Sequence, residues 1–424
     1  MSRARTVTSL LVLVSLPLLL RAEEPAIDRQ AGPDVVAKEL DERLDEAKAS
    51  LKVAEVPLSK FPSLDVCVSP DMKRFADVVK RRDGGYSAFI DGVLGPRYDQ
   101  IVGDWRDYFI FSPHSRRVFY MAKQGDKWLV VIDGVEGPKF DKVPKGSFCF
   151  SPDSKHTAYL GWCGDRWLSV VDGVEGPKYH DMGVLAFSPD SKRRAYAAKR
   201  GDKWFAVIDG VEGPAYDGPF IITFSPDSKR VAYDVWRGDK RFMVIDGAEK
   251  GPYDRIESLD TFSPDSKRTS FWAQRGDKWF AVIDGVEGLA YDEVFCLRFS
   301  PDSKRTAYAA KRGDKMFAVI DGVEGPAYGY AGAIIFSPDS KRVAFWGRRG
   351  EKYSAVIDGV EGAQYDDVGM KRPQFSPGFS PDSKRVAYGA KRGEKWFAVI
   401  DGVEGPQCED IGTVVFSPDS KHTA

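Results

Sequence analysis

The pentapeptide Ser-Pro-Asp-Ser-Lys begins at Ser151, Ser188, Ser225, Ser263, Ser300, Ser337, Ser380 and Ser417, with degenerate copies at Ser69 and Ser112. Successive starts lie 43, 39, 37, 37, 38, 37, 37, 43 and 37 residues apart. A period of this length means that the chain is one supersecondary unit copied, each copy burying its apolar surface against the next. The fold must accommodate nine complete units and a partial tenth.

Each unit carries three turn signals. Ser-Pro-Asp-Ser-Lys puts Pro second in a tight turn, where its fixed φ fits, and Asp third. Arg-Gly-Asp-Lys places Gly-Asp between two strand-like runs, a hairpin signal. Asp-Gly-Val-Glu-Gly, a third turn with two glycines, recurs at Asp133, Asp172, Asp209, Asp284, Asp321, Asp358 and Asp401, with variants at Asp91 and Asp246. The runs between turns, such as Arg230 to Trp236, Lys203 to Asp209 and Ala215 to Phe224, are rich in Val, Ile, Phe, Trp and Tyr, which favours strands. Alternation puts Trp204, Ala206 and Ile208 on one face and Phe205 and Val207 on the other, so both faces are apolar. Such strands belong in sheets covered on both sides.

Four short strands per unit, stacked unit on unit, describe a β-propeller blade. The expected class is all-β, a propeller of four-stranded blades of about 37 residues. The first strand precedes Ser-Pro-Asp-Ser-Lys, the second follows it, the third is the Lys203 run and the fourth the Gly213 to Asp217 run. An open β-solenoid is the weaker alternative, because its coils are shorter and lack this hairpin spacing. Nine blades exceed the usual four to eight of a closed ring. The chain ends within what is elsewhere the second strand, which reads either as a closing strand for the first blade or as truncation.

The N-terminus reads as an export signal: Arg3 and Arg5, an apolar run from Val7 to Leu20, then Ala22 before two glutamates. The domain reading is a signal peptide over 1–22, a linker over 23–60, and the propeller over 61–424. Within the linker, Val36, Leu40, Leu44, Ala47 and Leu51 recur at helical spacing, predicting a short N-terminal helix over Asp34 to Val53. Five cysteines, Cys67, Cys149, Cys163, Cys296 and Cys408, have neither disulfide-framework nor metal-ligand spacing. A net charge of −1 carries no nucleic-acid footprint.

The stretch from Phe224 to Tyr233, FSPDSKRVAY, resembles the WD40-like repeat called PD40, found in the TolB-type propellers of bacteria. The likeness covers about residues 69 to 424. It implies the propeller fold and says little about function, while the export signal makes the expected location periplasmic or extracellular. The family has Gly after the Asp, where this chain has Ser154, Ser191, Ser228 and their equivalents. If that position needs φ above zero, each serine costs about 1 kcal/mol. The stretch from Trp204 to Asp217 is also similar to WG repeats, a less defined β-repeat family.

Arg-Gly-Asp, a tripeptide that adhesion receptors read in some proteins, begins at Arg200, Arg237, Arg275 and Arg312. Equivalent positions read Gln-Gly-Asp at Gln124, Cys-Gly-Asp at Cys163 and Arg-Gly-Glu at Arg349 and Arg392. The glycine stays while its neighbours drift, which is the behaviour of a turn. No catalytic constellation, phosphate loop, cofactor motif or metal-ligand set is recognisable, and the recurring aspartates read as turn caps. His114, His156, His180 and His422 fall at isolated positions of single units.

The expected role is an exported, non-catalytic scaffold for a protein partner, an anionic protein or a glycan being the candidates. Nucleic acid, and a membrane beyond the signal segment, are not expected partners. The alternatives are a propeller that gates a hydrolase domain absent from this chain, and a glycan-binding propeller. The candidate partner face joins the Arg-Gly-Asp-Lys turns to the connections between units. It comprises Lys199, Arg200, Arg237, Arg275, Arg312, Arg349 and Arg392, with Trp105, Arg106, Lys371 and Arg372 on the two longest connections.

Overall fold

The computed structural model describes residues 66–102, 109–257, 261–369 and 377–423. The expected export signal and the expected helix lie outside them. The chain divides into two compact units, one up to Lys178 and one from Tyr179 onward.

The regular structure among the described residues is all β, in repeated antiparallel sheets of the expected blade type. The sheets that begin at Cys67, Gln100 and Cys149 belong to the first unit, and six more belong to the second. One blade shows the plan: strands Ile222–Phe224, Val231–Arg237, Lys240–Ile245 and Ala248–Tyr253, hydrogen-bonded in chain order. The sheet that begins at Cys67 already holds four strands of its own.

Two hairpin turns set the register. Ile245 pairs with Ala248 across Asp246-Gly247, whose φ values are 51° and 83°. Two consecutive left-handed residues make a type I′ turn, whose twist matches the flanking strands. The turn is therefore shorter than Asp-Gly-Val-Glu-Gly suggests, and the fourth strand already begins at the residue after Gly247. Arg237 pairs with Lys240 across Gly238-Asp239, with Gly238 at φ 62°, the pattern of a type II′ turn. First strands are often broken or bulged. Asp181–Met182 and Ala186–Phe187 both pair with Arg194–Arg200, and the strand Glu293–Phe299 shifts register between Phe295 and Arg298.

The core lies between consecutive blades. Ala195, Trp204 and Tyr216 of one blade pack with Phe220, Ile222 and Tyr233 of the next. Both faces of the middle strands are thus covered, as their two-sided apolar pattern requires. Each large side chain buried there contributes about 1.5–3 kcal/mol.

Candidate functional site

Most recurring polar side chains tie one blade to the next. At the Ser-Pro-Asp-Ser-Lys edge, the Ser225 hydroxyl donates to Asp227 at 2.7 Å and accepts the Arg230 N–H at 3.0 Å. Asp227 also accepts the Lys229 N–H at 3.1 Å. Ser228 sits at φ 67°, in the left-handed region where glycine is cheaper. Its hydroxyl accepts the backbone N–H of Asp190 from the preceding blade at 2.9 Å, which glycine could not do. Arg193 of that blade donates Nε to Asp209 at 2.9 Å and Nη1 to the carbonyls of Ser228 and Lys229 at 3.2 and 2.8 Å. Its guanidinium lies 5.3 Å from the Phe224 ring centre. Arg230, Arg268, Arg305 and Arg342 repeat the arrangement in the second unit. His156 takes the arginine position in its blade, with Nδ1 2.7 Å from Asp172.

On the Arg-Gly-Asp-Lys edge, the candidate partner face, the turn arginines and lysines are paired with acids. Arg237 donates two hydrogen bonds to Glu249, at 2.7 and 3.0 Å, and lies over the rings of Tyr216 and Phe242. The Tyr216 hydroxyl donates to the same Glu249 across the blade interface at 3.2 Å, and burial raises the phenol pKa. Arg200, Arg275, Arg312, Arg349 and Arg392 pair likewise with Glu212, Glu287, Glu324, Glu361 and Glu404. The turn lysine is paired too. Lys240 donates to Asp254 at 2.5 Å, and Asp254 also accepts the Gly276 N–H of the next blade at 2.7 Å. The Lys240 ammonium first, then that N–H, hold the Asp254 carboxyl below its usual range. His180 does the same job with its ring, accepting the Gly201 N–H at 3.0 Å. Lys199 stands opposite Trp204 on the adjacent strand. Trp105, Arg106, Lys371 and Arg372 lie outside the described residues.

A specific site must use what differs between copies. One departure is a swapped pair. Where Lys123 faces Trp128 and Lys391 faces Trp396, Trp236 faces Arg241. The guanidinium lies 4.0 Å from the indole centre and donates to Asp234 at 2.6 Å. Burial pushes the Asp234 pKa up, against the pull of Arg241. The buried Arg241 Nε has no hydrogen-bond partner.

The second departure is a cavity of about 630 Å³ in the first unit, missed in the sequence reading. Val102, Met121, Trp128, Val143, Lys142 and Lys145 line it. The connection from Phe140 to Ser151 spans eleven residues, against nine from Tyr179 to Ser188, and that extra length was the available signal. The connection is firmly held. Asp141 accepts from Lys127 at 2.5 Å and from the Gly164 N–H at 2.7 Å, and these contacts, Gly164 first, lower its pKa. The Lys142 carbonyl accepts the Trp162 N–H at 2.8 Å, and the Ser147 hydroxyl donates to the Pro144 carbonyl at 2.7 Å. Asp141 is therefore committed, whereas no carboxylate pairs with Lys142 among the described residues.

The five cysteines form no disulfide, and burial pushes the Cys149 thiol up to about 11. Among the described residues no group of three His, Cys, Asp or Glu could hold a metal ion, and no helix is long and apolar enough to cross a membrane.

No protein-family model matches the chain, and no curated protein matches it by sequence. Among solved structures, it is similar to the β-propeller domain of the Trilobed protease from Pyrococcus furiosus, at 14% identity and a TM-score of 0.29, covering 58% of this chain and 91% of that one. It is similar to TolB from Acinetobacter baumannii, at 15% identity and a TM-score of 0.23, covering 68% and 79%. The Dos1 propeller matches at 10% identity and a TM-score of 0.30, covering 66% and 88%.

Proposed function

We propose that this chain is an exported, non-catalytic propeller scaffold, with repeats of the WD40-like, TolB-type class, that binds a protein partner. One observation carries the reading. Ser228, Arg193, Asp254 and Tyr216, with their equivalents in other copies, hold blade on blade, while a cavity lined by Lys142, which has no carboxylate partner among the described residues, sits where copies differ. Pairing of the rim arginines with glutamates favours a partner recognised at unique connections over one held by a ring of positive charge. Export rests on the Arg3 to Ala22 segment.

The test immobilises residues 23–424 and passes extracts of the source cells over them, alongside assays with simple ester and peptide substrates. The reading expects saturable retention of a protein at fixed stoichiometry, and no turnover. Absence of saturable retention, or hydrolysis proportional to the amount of chain, would overturn it. N-terminal sequencing of the exported protein checks the leader, with a start just past Ala22 expected.

A further inference from the structure

We propose that the cavity beside Trp128 is a binding site for an organic anion with a flat apolar body, such as an aryl carboxylate or sulfonate. This rests on the scaffold reading and adds a ligand class to it. The volume of about 630 Å³ is that of a small-molecule site, and such sites are mostly apolar with a few placed polar groups. Val102, Met121, Trp128, Val143 and Pro144 supply the apolar wall. The Trp128 indole offers a flat surface, and Met121 adapts its shape to a ring. Lys142 supplies the charge. It lies on the cavity lining without a carboxylate partner among the described residues; Lys145 lines the cavity as well, and Asp141, the one carboxylate on that lining among the described residues, is already bound to Lys127 and the Gly164 N–H.

Sister copies explain why the space is here. Met121 occupies the place that Trp272 and Trp346 hold in their blades, and both tryptophans are buried. Ala197, Ala309 and Gly389 are smaller still at the same place, so the longer connection beyond the fourth strand is what sets this opening apart. The same comparison supplies variants that the fold accepts. Met121→Trp copies Trp272, and Lys142→Gln copies Gln100.

The experiment uses the full chain and two fluorescent probes of like body, anionic 1-anilinonaphthalene-8-sulfonate and neutral N-phenyl-1-naphthylamine. Both are expected to bind saturably at one site. Lys142→Gln should weaken the sulfonate about tenfold, and Lys142→Glu more, while the neutral probe changes less than about twofold. Met121→Trp should abolish binding of both while the thermal midpoint stays near that of the parent. Sulfonate binding unchanged in both Lys142 variants would overturn the anion assignment, and does so even if Met121→Trp fails to fold. Probe binding that survives in a folded Met121→Trp protein would overturn the site itself. Either failure leaves saturable retention of a protein partner untouched. Loss of that retention with intact probe binding would count against the scaffold reading alone.

Discussion

The Ser228 hydroxyl accepts the backbone N–H of Asp190 at 2.9 Å, reaching from one blade to its predecessor. Ser228 holds this position at φ 67°, so a strained backbone and a cross-blade hydrogen bond come together. Removing the strain and removing the bond are separable. Ser228→Gly relieves about 1 kcal/mol of strain and forfeits the bond. Ser228→Ala keeps the strain and leaves the Asp190 N–H without its acceptor, at a cost of about 1–3 kcal/mol. Urea denaturation should rank alanine as the more damaging by about 1 kcal/mol. Equal losses would remove the strain argument.

Arg237 is held by Glu249 and two aromatic rings, so the Arg-Gly-Asp turn does not present a free guanidinium. Surfaces coated with the protein should support no cell attachment that a soluble Arg-Gly-Asp peptide can block. Arg237→Ala should lower stability by no more than about 1 kcal/mol, since the pair is half exposed and screened by water. Peptide-blockable attachment would contradict the structural role.

Acid should loosen the Ser-Pro-Asp-Ser-Lys edge. The Ser151 hydroxyl first, and the Lys155 N–H next, hold the Asp153 carboxyl at about 2, below its ordinary 3.8. Asp190, Asp227, Asp265, Asp302 and Asp339 shift in the same direction for the same cause. Between those values the unfolded chain binds more protons than the folded one. The stabilisation is therefore complete above 3.8 and is lost as pH falls toward about 2. Urea midpoints should fall steeply across that window, and a flat profile would refute the assignment.

Asp234 carries the opposite sign. Burial raises its pKa and Arg241 opposes the rise. With Arg241→Ala the carboxylate loses its partner, so the folded state prefers the protonated acid over a wider range. Stability then declines as pH rises through that range, and the variant should lose more at pH 7 than at pH 4, by about 1–3 kcal/mol. The double change Asp234→Ala with Arg241→Trp restores the side chains of a sister copy, Ala197 and Trp204, and should remove the pH dependence. A loss independent of pH would show that the pair acts through packing alone.

Repetition made the blades legible. The period, the strand-forming runs and the Gly-Asp hairpin at Arg237–Lys240 follow from local rules and reappear as expected. What escaped was pairing over distance. Counting charges marked Arg237 and Lys240 as a basic rim, but Glu249 and Asp254 reach them only once the fourth strand folds back beside the third. The serine at φ 67° looked like a departure at a cost, because its partner Asp190 lies one whole blade earlier. Asp234 and Arg241 stand out on comparing copies, as does the long connection at Phe140–Ser151. The cavity itself depends on three-dimensional packing around Met121 and Trp128, which no single run encodes.

The most direct measurement is hydrogen–deuterium exchange of the chain with and without a retained partner or bound sulfonate probe. The proposed recognition lies where copies differ, and the hairpin glycine turns are held by blade-to-blade contacts such as that of Asp254 with the Gly276 N–H. Protection on binding should therefore concentrate at the connection from Asp141 to Lys145 and the strand end at Val102, with the turns at Gly201, Gly238, Gly276 and Gly313 unchanged. Protection confined to those glycine turns would contradict it.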